Sequence, residues 1–183
     1  MAHVSKFALL GLSLLLAACR SDPIHYHTLL PQQPVPVSKV DVQLEMISVP
    51  PQVDRPQMVI RQSNSSLAIL ETEWWGASLA DELQNALNNQ FASNNSQPRL
   101  NLRVDVQRFD SLPGQYALFD ARWRLRAATG TDINALNCRS VIQTPAGATI
   151  EELVVAHQQN LKRFTELVSQ AASSGASRCP SLH

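Results

Sequence analysis

Ala117-Leu118-Phe119-Asp120-Ala121-Arg122-Trp123-Arg124-Leu125-Arg126-Ala127 alternates without a slip. Ala117, Phe119, Ala121, Trp123, Leu125 and Ala127 point one way, and Asp120, Arg122, Arg124 and Arg126 the other. A period of two sustained over this length is a β-strand with one apolar face. On a helix the same residues would spread around the whole circumference. The stretch therefore calls for a sheet whose apolar side needs a cover.

Upstream, Leu100, Leu102, Val104 and Val106 alternate with Asn101, Arg103, Asp105 and Gln107, and the phase breaks at Arg108-Phe109. Asp110 to Gly114 reads as a turn into the quoted strand. Val40, Val42, Leu44 and Met46 form another alternating run, with a slip at Ile47 that suggests a bulge. Gln57 to Arg61 and Leu67 to Glu71 flank the polar Ser63-Asn64-Ser65-Ser66 as a hairpin. Tyr26 to Leu30 reads as a short first strand and Cys138 to Thr144 as a last one, stopped by Pro145. Pro31 to Pro36 is an extended connection, and Thr129-Gly130-Thr131 a turn.

Two segments follow the helical period instead. Leu79, Leu83, Leu87 and Phe91, with Ala86, make one stripe behind the N-cap Ser78. Leu153, His157, Leu161, Phe164, Val168 and Ala171 make another behind Thr149-Ile150-Glu151-Glu152, a capping box. The fold class is thus α/β of α+β-like type. It is a single domain with a mixed or antiparallel sheet of about six strands, two amphipathic helices packing on one face.

The N-terminus sets the compartment. A basic start (His3, Lys6) precedes an apolar run from Phe7 to Leu16, then Ala17-Ala18-Cys19. The run is a signal peptide, too short for a membrane span, and Leu16-Ala17-Ala18-Cys19 looks like the bacterial lipobox. Residues 1–18 are read as the lipoprotein signal peptide, 19–25 as a tether and 26–183 as the domain. Cys19 becomes the acylated first residue, and membrane attachment runs through it. Cleavage leaves 165 residues with 14 basic and 15 acidic side chains. This balance offers no argument for a nucleic-acid partner, and no polybasic patch assists the lipid. Arg20 in place of an aspartate favours sorting to the outer membrane, facing the periplasm. In that oxidising compartment the two remaining cysteines, Cys138 and Cys179, are read as a disulfide that anchors a polar C-terminal tail.

Several of these features occur together in one order. They are the lipobox, Tyr26-x-Thr28-Leu29, Val49-Pro50 leading into Asp54-Arg55-Pro56-Gln57-Met58-Val59, Trp74-Trp75-x-x-Ser78-Leu79, a Val104-to-Phe109 strand and Ala121-x-Trp123-x-Leu125. In that succession the chain resembles the ABC-type transport auxiliary lipoproteins, the PqiC-like family, from Tyr26 to about Ala172. The resemblance implies an outer-membrane lipoprotein working with a periplasmic MCE-domain protein in the transport of lipid or another hydrophobic compound. It implies no enzymatic activity and no cofactor. The second tryptophan, directly beside the first, departs from the family's usual spacing.

The candidate partner-binding residues are Val49, Pro50, Arg55, Met58, Trp74 and Trp75. Adjacent tryptophans on an extended segment point to opposite sides, so one plugs the core and the other remains at the surface. The pattern leaves open which. An exposed indole beside a proline-rich loop suits a partner or further copies of the chain, a homo-oligomer. Arg122, Arg124 and Arg126 read as a solvated row paired with acids such as Asp105, or as a contact for an acidic partner or headgroups. His157 reads as a satisfied core histidine. His25 and His27 have no third ligand at metal spacing, no zinc pattern surrounds the cysteines, and no nucleophile elbow or phosphate loop occurs. The alternative to a tethering subunit is a lipid-binding carrier with an internal cavity between sheet and helices.

Overall fold

The computed structural model describes residues 22–33, 40–92, 100–128 and 135–181. The signal peptide, Cys19, the second half of the Pro31-to-Pro36 connection and the Thr129-Gly130-Thr131 turn lie outside these residues. The described elements are β1 (His25–His27), β2 (Val42–Ser48), β3 (Gln57–Arg61), β4 (Leu67–Trp75), α1 (Leu79–Gln90), β5 (Leu100–Leu112), β6 (Tyr116–Ala127), β7 (Leu136–Pro145) and α2 (Ile150–Ser173).

The mixed α+β domain has seven strands in two sheets, ordered β1-β4-β3 and β2-β5-β6-β7, where about six in one sheet were expected. The difference arises because β1 pairs in parallel with β4, not with the long strands. β5, β6 and β7 form an antiparallel meander, and β2 joins its edge in parallel with β5. α2 packs on β5, β6 and β7, while α1 packs on β2 and against α2. Thr165 Oγ1 of α2 donates to Gln90 Oε1 of α1 at 2.7 Å, tying the helices together.

The apolar stripes close the core. Leu79, Leu83, Ala86, Leu87 and Phe91 are buried, as are Leu153, His157, Leu161, Phe164, Val168 and Ala171. Phe164 meets Phe119 and Trp123 edge to face, with centroids 5.2 and 6.2 Å apart. Trp123 satisfies its indole N–H on Ser140 Oγ at 3.0 Å. Both caps form: Ser78 Oγ accepts from the Asp81 amide, and Thr149 exchanges hydrogen bonds with Glu152.

Three boundaries differ from the sequence pattern. In β2 the register slips between Leu44 and Met46, so Met46 lies 52% exposed instead of continuing the inward row. The extra residue is Glu45, which has no partner on β5, and after it Ile47 turns back toward the core. β1 ends at His27 because the Leu29 amide bonds the Glu82 carboxylate at 2.9 Å while its side chain enters the core. β5 runs on to Leu112 through a bulge between Val106 and Arg108. The turn is confined to residues 113–115, with Gly114 at φ 73°. Asp110 and Ser111, which look like turn residues, are instead buried in the strand. Asp110 pairs with Arg61 at 3.1 Å and with Arg108, and Ser111 Oγ lies 2.8 Å from His157 Nε2.

Candidate functional site

The end of β4 brings the tryptophan pair, the 49–56 loop and the N-terminal strand together. Trp75 is 2% exposed, its amide donates to Pro56 O at 2.6 Å, and its indole meets Phe109 edge to face. Trp74 lies on the opposite side of the strand and is partly exposed. Its indole N–H donates to Glu71 O at 2.8 Å, and its ring stands 6.3 Å from Tyr26 in a T-shaped contact. Register explains the meeting, since Tyr26 is opposite Trp74 in the parallel β1–β4 pair. Alternation requires the pair to part, and the register of β4 puts Trp75 in the core and Trp74 at the surface.

Gly76 follows and donates its amide to His27 O at 2.9 Å. A Cβ at Gly76 would lie 2.9 Å from Glu82 Oε1, so any larger residue there would have to push this carboxylate aside. Glu82 is itself buried, accepting from Thr28 Oγ1 at 2.8 Å and from the Leu29 amide. One acid on α1 therefore locks the exit of β1 onto the helix.

The 49–56 loop is held just as firmly. Val53 and Asp54 both donate to Pro50 O, Val53 is buried, and Asp54 Oδ1 accepts from the Ala80 amide at 3.2 Å at the start of α1. Val49 packs against the core, Met58 is fully buried, and Pro50 and Arg55 remain partly exposed. Of the candidate partner residues, Met58 and Trp75 are thus core residues whose side chains reach no outside surface. Pro50, Arg55 and Trp74 do.

Beside Trp74, the rings of His25 and His27 bracket Glu73, with Nδ1 and Nε2 at 3.1 and 2.5 Å from its two oxygens. Desolvation pulls the Glu73 carboxyl up, but the hydrogen bonds from His27 and His25 outweigh it and hold the group below the usual carboxylate range. Among the described residues, no cluster of three His, Cys, Asp or Glu side chains is arranged to hold a metal ion. The histidines were visible in the sequence; their partner was not, because it comes from a strand 46 residues away.

In the arginine row of β6, Arg126 reaches Glu45 at 2.6 Å, and Arg103 of β5 approaches the same carboxylate at 3.6 Å. Asp105 faces Arg122 in register, but its carboxylate accepts from Ser48 and Gln107. Arg139 grips the buried Asp120 with two bonds of 2.9 and 2.7 Å, and this contact holds the Asp120 carboxyl below its ordinary range. An open groove of about 590 Å³ runs past Met46, Arg103, Arg122, Arg139 and the disulfide. That disulfide joins Cys138 to Cys179 with 5.6 Å between Cα atoms, tying the tail to β7.

His157 is fully enclosed, stacked on Phe109 and bonded to Ser111 through Nε2, while its buried Nδ1 has no partner among the described residues. Burial pushes its pKa down to about 3. Ser111 and His157 lie inside the core, without the access to substrate that a nucleophile and base need.

Residues 27–169 match the model of a family described as the ABC-type transport auxiliary lipoprotein component. No curated protein matches the chain. Among solved structures, protein XCC0632 from Xanthomonas campestris, of family DUF330, is similar with a TM-score of 0.60 and 18% identity. The match covers 85% of this chain and 96% of that one. A structure titled only as an uncharacterized protein is similar with a TM-score of 0.65 and 16% identity, over 81% of this chain and 98% of the other. At these identities the two structures speak to the fold.

Proposed function

The chain belongs to the ABC-type transport auxiliary lipoprotein family, and from that premise we propose that it is a non-enzymatic subunit of an MCE-type system for lipid or hydrophobic-compound transport. In this reading the acylated Cys19 fixes the protein to the outer membrane, facing the periplasm. The rigid domain then binds and holds a periplasmic MCE-domain protein. The observation that supports a binding role over an internal carrier is the filled space between sheet and helix. Phe119, Trp123 and Phe164 pack ring against ring there, leaving that layer to side chains. The partner contact falls to the 49–56 loop, where Pro50 and Arg55 are presented on a backbone braced by Asp54. A rigid loop loses little freedom on binding, which favours affinity.

Photo-crosslinking from Pro50 and Arg55 in intact envelopes tests this. The expected product is a crosslink to the MCE-domain protein, in the outer-membrane fraction, that disappears with Cys19→Ala. Crosslinks confined to copies of the chain itself, or a cleaved Cys19→Ala protein still retained in the outer-membrane fraction, would overturn it.

A further inference from the structure

We propose that Tyr26, Trp74 and Ile24 form an interfacial membrane contact that seats the domain on the bilayer beside its lipid anchor. The inference rests on acylation of Cys19. Tyr26 is 66% exposed and Ile24 42%, and the Tyr26 ring stands against the partly exposed Trp74. Large apolar and aromatic groups gathered at one edge of a domain mark a surface that something covers.

The position of the tether decides what covers it. Ile24 is five residues from Cys19 and Tyr26 seven. Fully extended, those spans reach no more than about 18 and 25 Å. The acyl chains hold residue 19 at the lipid surface, so the patch is confined to a thin shell above it. That confinement gives an effective local concentration on the order of millimolar, enough for a weak apolar contact to be occupied.

The chemistry suits the headgroup boundary as well. Tyrosine and tryptophan settle there because each joins an apolar body to a polar edge. Trp74 has its N–H satisfied by Glu71 O, so it enters an apolar medium without losing a hydrogen bond to water. The charged or titratable neighbours along the chain are Arg20, Asp22, His25, His27, Glu71 and Glu73. Glu73, the acid next to Trp74, is engaged by both histidines, which lessens its repulsion from anionic headgroups. A second copy of the chain on the same patch is the competing occupant.

The test uses the mature, lipid-bearing protein purified from membranes, its N-terminal peptide weighed to establish the acyl group. It is reconstituted into vesicles of phosphatidylethanolamine and phosphatidylglycerol carrying brominated acyl chains. The chain has three tryptophans, and Trp75 and Trp123 are 2% and 3% exposed. Quenching therefore reports on Trp74. The expected result is a loss of roughly a third of the emission, the share of one interfacial indole among three. Trp74→Phe should abolish that loss, and the pair Ile24→Ser with Tyr26→Ser should at least halve it, with unchanged circular dichroism. An acylated, vesicle-bound protein whose emission is unaffected overturns the inference alone. So does an indole shielded only as copies crosslink through Tyr26. A missing acyl group overturns the lipoprotein reading, and the inference falls with it.

Discussion

The imidazole of His157 lies flat on the ring of Phe109, with centroids 3.9 Å apart and planes within 10°. The stack is enclosed by protein, and burial holds His157 neutral, with a pKa of about 3. An unfolded chain takes up this proton near pH 6.5 and the folded chain does not. The unfolded state therefore binds more protons between about pH 6.5 and 3, and stability falls with falling pH across that window. The slope reaches at most about 1.4 kcal/mol per pH unit. Urea midpoints for the wild type should fall between pH 6.5 and 5, and those for His157→Gln should fall less. Parallel profiles would show that His157 does not set the slope. Glu73 and Asp120 have lowered pKa values, so their stabilisation is present at higher pH and lost only as pH falls through the carboxylate range.

The tryptophans should separate cleanly. Trp75→Ala removes a buried ring that meets Phe109 and should cost about 3–5 kcal/mol. Trp74→Ala should change stability by less than about 1 kcal/mol, since its ring is partly solvated. Chemical denaturation of each variant checks this, and equal losses would contradict the division.

Gly76→Ala places a methyl group against Glu82 Oε1. The carboxylate must shift, loosening its hold on Thr28 and the Leu29 amide. Glu82→Ala removes the acceptor outright and leaves a buried amide unsatisfied, at a cost of about 1–3 kcal/mol. Both variants should be cut by protease within residues 22–33 sooner than the wild type. Unchanged cleavage would show that Glu82 does not lock this segment.

The Cys138–Cys179 bridge spans 41 residues of sequence. Chain-entropy arguments give about 4 kcal/mol as its upper contribution. Cys138→Ser with Cys179→Ser should lower the denaturation midpoint and expose the tail beyond Ser173 to carboxypeptidase. An unaltered midpoint together with an intact tail would count against the anchoring role.

The secondary structure was largely legible because its signals are local. Leu79 to Phe91 and Leu153 to Ala171 carry the helical period, and Leu100 to Val106 and Ala117 to Ala127 the strand period. The caps at Ser78 and Thr149 need only three residues of context. Asp110 and Ser111 were not legible as strand, because Arg61 and His157 hold them there from 49 and 46 residues away. Met46 was misplaced for a related reason. The bulge that turns it outward is set by pairing with β5, not by β2 itself.

The sequence alone determined the class of fold, the family, the two helices and the bridge between the last two cysteines. It also required that adjacent tryptophans part company, since successive side chains on a strand face opposite ways. Only the tertiary structure decided that Trp75 goes inward and Trp74 meets Tyr26, because that choice follows from the register of β4 against β1 and β3. The division into two sheets and the clasp of His25 and His27 on Glu73 were decided at the same level. Periodicity is a property of neighbours along the chain; strand partners are chosen by whichever distant segments bury the most apolar surface together while meeting their hydrogen bonds.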